Sequence, residues 1–201
     1  MPSPVAHSLV AIALYRRMPS RRCSGARWCL LVVLILVASL PDADFLLGLA
    51  IGDANRYHHQ MTHSLSFCAG AAVALAALLN RVWPLGLKKW IGLNGILLGA
   101  HLGLDALTAD TAAPFGQPLL WPFWDAYVHL PVTILLDVRR KGATPEFFPS
   151  LLSLHNLKAV TLEVALLVPL AVLAGRRGPD GRSKKTSEFL GHRAQAEETY
   201  T

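Results

Sequence analysis

Long apolar runs alternate with short polar or basic turns along this chain, and the runs are of helical length. The first, residues 4–15, opens on Pro4 and carries His7 near its start. At 1.5 Å per residue it is about 18 Å long, short of a hydrocarbon core of about 30 Å. Arg16, Arg17, Arg21, Arg22 and Arg27 follow, with Pro19 and Gly25 as breakers. Trp28 to Leu40 is intensely apolar and stops at Pro41; Phe45 to Ile51 is a second short piece beyond Asp42 and Asp44. Residues 52–62 are polar. Ser64 to Val82 predicts a helix long enough to cross a membrane, capped by Thr62 or Ser64. Residues 90–109 predict another, and Lys158 to Ala174 the last, kinked at Pro169. Between these two lies a region rich in Pro and Trp, 110–157, with low helical periodicity except near 126–138.

The pattern predicts an all-α fold, a polytopic membrane helical bundle of about five apolar helices. Residues 1–175 form one membrane-embedded domain. Residues 176–201 are polar and charged, and their composition predicts a disordered cytoplasmic tail. A secretory-signal reading, with Arg16 to Arg27 as its basic region and Trp28 to Ala38 as its apolar region, lacks a clean small-x-small cleavage site.

Composition agrees with a membrane class. Of 201 residues, 53% are hydrophobic and 16% charged, against about 25% charged in soluble domains. The net charge of +6 does not indicate nucleic acid as primary ligand, because Lys and Arg cluster at the ends of apolar runs without aromatic interleaving. That is the pattern of cytoplasmic anchors of a multi-pass protein. Cys23, Cys29 and Cys68 have neither disulfide nor zinc-finger spacing and read as small apolar filler. Trp121, Trp124 and Tyr127 read as an interfacial aromatic belt.

Charge placement then orders the chemistry. If consecutive helices run antiparallel, His7, Asp42, Asp44, His58, His63, His101 and Asp105 all fall at one end of the bundle. The basic clusters at 16–27, 81–89 and 176–185 fall at the other. The positive-inside rule puts the basic end in the cytoplasm and the polar end on the outer face of the membrane. Arg139, Arg140 and Lys141 depart from this division and are placed to meet an anionic substrate or a lipid headgroup.

Imidazoles and carboxylates together suit zinc, or manganese and iron at a more oxygen-rich site. His101 and Asp105 share a helix face at i, i+4. An ionisable group at mid-membrane depth costs about 2.5–3.5 kcal/mol and usually marks function. Taken singly, each candidate has an ordinary explanation. Asp42 and Asp44 suit a helix stop, His58 and His59 a solvated loop, and His7 a satisfied core histidine. His129, His155 and His192 have no partner motif.

Taken together, His7, Leu40-Pro41-Asp42-Ala43-Asp44, His58, Thr62-His63-Ser64-Leu65, His101-Leu-Gly-Leu-Asp105-Ala-Leu-Thr108 and Gly116-Gln-Pro-Leu-Leu-Trp-Pro-Phe123 resemble a known family. The chain is similar, over about residues 1–130, to the YdjM family of membrane-bound metal-dependent hydrolases, described as LexA-binding and inner-membrane-associated. Where that family usually has His-Arg-Gly, this chain has His58-His59-Gln60, so His59 stands in place of the arginine. The resemblance implies a bacterial inner-membrane protein with a metal site. A remoter likeness, by analogy alone, is to zinc-dependent phospholipase C and related nucleases, and it tilts the reaction towards phosphoester hydrolysis.

The expectation is one or two divalent ions, zinc or manganese, held by His7, Asp42, Asp44, His58, His63, His101 and Asp105, with a bridging carboxylate and an activated water. Asp44 and Asp105 are the candidate catalytic carboxylates, and Ser64 and Thr108 the candidate supports for the ligands. The bilayer and a lipid or phosphoester substrate are the expected partners. Two rival readings remain open at this point: an ion or proton pathway, and a non-catalytic scaffold with a structural metal.

Overall fold

The computed structural model describes residues 1–18, 24–111, 113 and 115–175. The predicted tail, 176–201, lies outside the described residues, as do Arg21, Arg22 and Cys23. Among the described residues all regular structure is helical: α1 (Pro4–Arg17), α2 (Ser24–Ala38), α3 (Asp44–Ala50), α4 (Leu65–Val82), α5 (Leu87–Ala106), α6 (Thr144–Leu151) and α7 (Leu154–Gly175). Short 3-10 turns occupy Pro41–Ala43 and Met61–His63.

Local sequence explains where these helices begin and end. Ser3 caps α1 by accepting from the Val5 amide, and Pro4 sits where its missing N–H costs nothing. Ser64 caps α4 through the Phe67 amide. Pro41 stops α2, and the chain restarts as α3 at an angle of 74°. α7 runs through Pro169.

α5 lies at the centre and packs on α1, α2 and α4, while α1 also packs on α2 and α7. The buried residues of α4 are Cys68, Ala72, Ala76 and Leu79, one stripe at helical spacing. They meet Trp90, Leu97, Leu98 and Leu102 of α5 and Leu34, Val37 and Ala38 of α2. Buried polar groups on α5 find backbone partners: Asn94 Nδ2 donates to the Ala72 carbonyl at 3.1 Å, and Trp90 Nε1 to the Trp83 carbonyl at 2.8 Å.

Three details correct the sequence reading. Among the described residues two helices, not five, are long and apolar enough to cross a membrane: Leu65–Val82 and Leu154–Ala174. The bent pair Arg27–Ala38 and Pro41–Ala50 makes a third if it acts as one span. α1 is too short, and α5 dilutes its hydropathy with Asn94, His101 and Asp105, which it buries against its neighbours. Residues 126–138 form no helix. They are held instead by two isolated bridges, Gln117 with Val128 and Thr108 with Leu135. The helix α6 was not foreseen, because Pro145 and Pro149 obscure its pattern.

The long connection therefore forms a cover rather than a loose loop. Gln117 Nε2 donates to the Leu102 carbonyl at 3.1 Å, and the Ala54 amide to the Gly142 carbonyl at 2.7 Å. Gly48 allows α3 to meet residues 53–54: a Cβ there would stand 2.5 Å from the Asp53 carbonyl oxygen.

Candidate metal centre

Four separate pieces of chain deliver polar side chains to one end of the bundle. His7 lies one turn into α1, on the face that also buries Ala6 and Ala11. The Pro41 turn presents Asp42 and Asp44. The 3-10 turn before α4 supplies Thr62 and His63, and the last turns of α5 supply His101 and Asp105. His7, His63, His101 and Asp105 are all at least 95% buried.

The distances describe a compact cage. His63 Nε2 and His101 Nε2 are 3.5 Å apart. Each lies 3.4 Å from Asp105 Oδ2. Asp42 Oδ1 is 3.6 Å from the first and 3.7 Å from the second. Bonds of about 2.0–2.1 Å in a tetrahedral zinc site give ligand–ligand edges of about 3.3–3.4 Å. These five separations are thus equal to or slightly longer than such edges, and too long for good hydrogen bonds. His7 Nε2 faces the two remaining oxygens, Asp105 Oδ1 at 3.7 Å and Asp42 Oδ2 at 3.8 Å. Its ring stacks on that of His101 at 3.9 Å.

Both oxygens of Asp42, both of Asp105 and both nitrogens of His7 are buried without a hydrogen-bond partner. A buried polar atom left unsatisfied costs about 1–3 kcal/mol. That many converging donor atoms fit a divalent ion, and the groups close enough to share one are His7, His101 and Asp105; Asp42, His63 and His101; and His58, His59 and His63.

Hydrogen bonds behind the cage settle which nitrogens face it. His101 Nδ1 lies 2.8 Å from the Ala38 carbonyl, an acceptor only, so that nitrogen carries the proton and Nε2 keeps its lone pair. The Thr62 hydroxyl donates to Asp44 Oδ2 at 3.0 Å and meets His63 Nδ1 at 3.1 Å. Its one proton is committed to Asp44, so His63 Nδ1 is the donor and His63 Nε2 is again free. Asp44 also lies 3.5 Å from His63 Nδ1 and 3.2 Å from His58 Nδ1.

A family model described as YdjM inner membrane protein matches residues 1–177. The chain belongs to the YdjM family. No curated protein and no solved structure matches it. The family description gives a membrane location, in accord with the apolar helices α4 and α7.

In this YdjM-family protein the seven candidate ligands all meet, with Asp44 and His58 lying behind or beside the cage rather than across it. Ser64 and Thr108 turn to the backbone. The Ser64 hydroxyl donates to the Met61 carbonyl and the Thr108 hydroxyl to the Leu104 carbonyl, each at 2.7 Å. The hydroxyl that touches a ligand is that of Thr62, which in sequence looks like a helix cap. His59 is buried too, and its φ of 56° lies in the left-handed region that few residues other than glycine adopt, histidine being among the more tolerant. Burial, reinforced by neighbouring imidazoles, pushes the His59 pKa down to about 3 and that of His58 well below its ordinary value. Both imidazoles are neutral at physiological pH, the state in which they bind metals or accept protons.

Proposed function

We propose that this protein is a membrane-bound, metal-dependent hydrolase acting on a phosphoester or a lipid-like ester. The observation that carries the reading is that His63 Nε2 and His101 Nε2 each lie 3.4–3.7 Å from a carboxylate oxygen of Asp42 and of Asp105, and that both carboxylates are buried without a hydrogen-bond partner. His63, His101, Asp42 and Asp105 would hold a zinc or manganese ion, and His7, which faces the second oxygens of Asp42 and Asp105, could help to hold another. The ions would supply Lewis-acid charge and an activated water.

The chain's own groups do the rest. Ala38 and Thr62 fix the tautomers of His101 and His63. Asp44 sits beside the cage, where it orients His58 and His63 and is the nearest carboxylate not needed as a ligand, hence the candidate general base. In the net reaction the water oxygen bonds to phosphorus or the acyl carbon. The ester oxygen leaves as an alcohol, taking up one proton.

The five-helix bundle of α1, α2, α4, α5 and α7 sits in the bacterial inner membrane as a unit. Its basic ends and the tail 176–201 face the cytoplasm, and the metal centre faces outward.

Elemental analysis of detergent-purified protein tests the site. Wild type should carry about two equivalents of zinc or manganese, and His101→Ala/Asp105→Ala should carry none while still inserting in membranes. Full metal in the double variant, or none in wild type after supplementation, overturns the assignment. Metal-loaded protein that cleaves neither phosphoesters nor carboxylic esters overturns the hydrolase reading itself.

A further inference from the structure

Beside the metal centre lies a cavity of about 170 Å³, roughly ten times the space that a single water needs. His58 and His59 form the wall on the metal side, their rings 5.0 and 4.9 Å from that of His63. Arg140 also lines it. Resting on the hydrolase reading, we propose that this cavity seats the phosphate of the substrate, and that the substrate is a phosphate monoester.

Arg140 is built in rather than left on a surface. Asn156 clamps the neighbouring backbone, accepting from the Arg139 amide at 2.8 Å and donating to the Arg139 carbonyl at 2.7 Å. The Arg140 guanidinium lies over the Phe45 ring at 4.5 Å, and Phe45 in turn stacks on His58 at 4.2 Å. Its Nε donates to Asn55 Oδ1 at 3.1 Å and its Nη1 to the Val138 carbonyl at 3.3 Å. All three partners are neutral. Nη2 makes no hydrogen bond to a described residue, so part of the donor fork remains for an oxyanion.

The two carboxylates that also line the cavity are already engaged. Asp137 accepts from Thr111, lies 3.1 Å from His155 Nε2 and faces Arg139 at 3.9 Å. Asp110 accepts the Gly116 amide at 2.6 Å. Arg140 has no carboxylate among its own contacts with described residues.

The second observation is the pair of imidazoles. His58 Nε2 and His59 Nε2 are buried and have no hydrogen-bond partner. Asp44, an acceptor, faces His58 Nδ1, so His58 Nε2 presents a lone pair. The occupant must then offer acceptors to Arg140 and a donor to an imidazole. A phosphate monoester near neutral pH does both, since its second pKa is about 6 and part of it retains an O–H. A diester has no such proton, and a carboxylic ester has no charge.

The test uses full-length protein in detergent, with metal content measured on every sample. Inorganic phosphate should bind wild type by calorimetry, and Arg140→Gln should bind at least tenfold more weakly. Arg140→Lys should fall between, since it keeps charge and loses the fork. Arg81→Gln, an exposed residue in the last turn of α4 away from the cavity, should match wild type. In nanodiscs, phosphatidic acid competing with phosphate identifies a lipid monoester, and glycerol phosphate competing alone identifies a soluble one.

Phosphate binding unchanged by Arg140→Gln, or equal competition by phosphatidylglycerol, overturns the proposal even if the metal is present. If Arg140→Gln does not fold, modification of wild-type Arg140 by phenylglyoxal serves instead. Phosphate should slow it, and no protection overturns the proposal. Absent metal would defeat the hydrolase reading separately, because phosphate binding is read without turnover.

Discussion

Thr62→Val tests whether the hydrogen bonds behind the cage set its affinity. The substitution keeps the shape of the side chain and replaces the hydroxyl with a methyl. It removes the 3.0 Å bond to Asp44 Oδ2 and the 3.1 Å contact with His63 Nδ1. A hydrogen bond to a charged acceptor is worth about 1.5–3 kcal/mol. Removing an outer partner of a metal-bound histidine typically lowers affinity 10–100-fold, about 1.4–2.7 kcal/mol at 1.4 kcal/mol per decade. The two scales agree, so the expected loss is one to two decades with the bound stoichiometry unchanged. Asp44→Asn should behave similarly, since its amide offers one acceptor oxygen where the carboxylate offers two, and no charge. Competition with a chromophoric chelator measures the affinity, and elemental analysis the stoichiometry. Loss of a whole equivalent on Asp44→Asn would make Asp44 a ligand. An affinity unchanged in both variants would refute the argument that Thr62 and Asp44 hold His63 in its binding tautomer.

Two further outcomes follow from the geometry. His59 is held at about 3 when folded and returns towards 6.5 when unfolded. Between those values the unfolded chain binds more protons, so stability rises with pH across the window and falls on acidification. Thermal unfolding of metal-free protein should show that slope below pH 6.5, and His59→Gln should flatten it; an equal slope in the variant would remove His59 from the account. Glu163 of α7 is fully buried and accepts both the Ser3 amide, at 2.7 Å, and the Ser3 hydroxyl. Glu163→Ala leaves those donors orphaned at the start of α1, at a cost of about 1–3 kcal/mol. It should lower both the melting temperature and metal affinity, because His7 lies one turn along; an unchanged melting curve would show that α1 is pinned otherwise.

The apolar runs by themselves determined the helical class, the positions of α1, α2, α4, α5 and α7 to within a few residues, and the break at Pro41. They did so because a helix of 14 to 22 residues is a local object, specified by its own spacing and caps. The seven acidic and imidazole candidates were legible for a related reason: such groups are scarce in apolar sequence and expensive there. What the spacing left open was their division of labour. That His101 bonds to Ala38, that Thr62 bonds to Asp44 behind the cage, and that His7 faces the far oxygens of Asp42 and Asp105 are contacts between residues 18 to 98 positions apart. No local pattern encodes them. The same holds for Arg140, an ordinary basic residue in sequence. Its place beside His58 is decided by Asn156, Asn55 and Phe45, which reach it from three other parts of the chain.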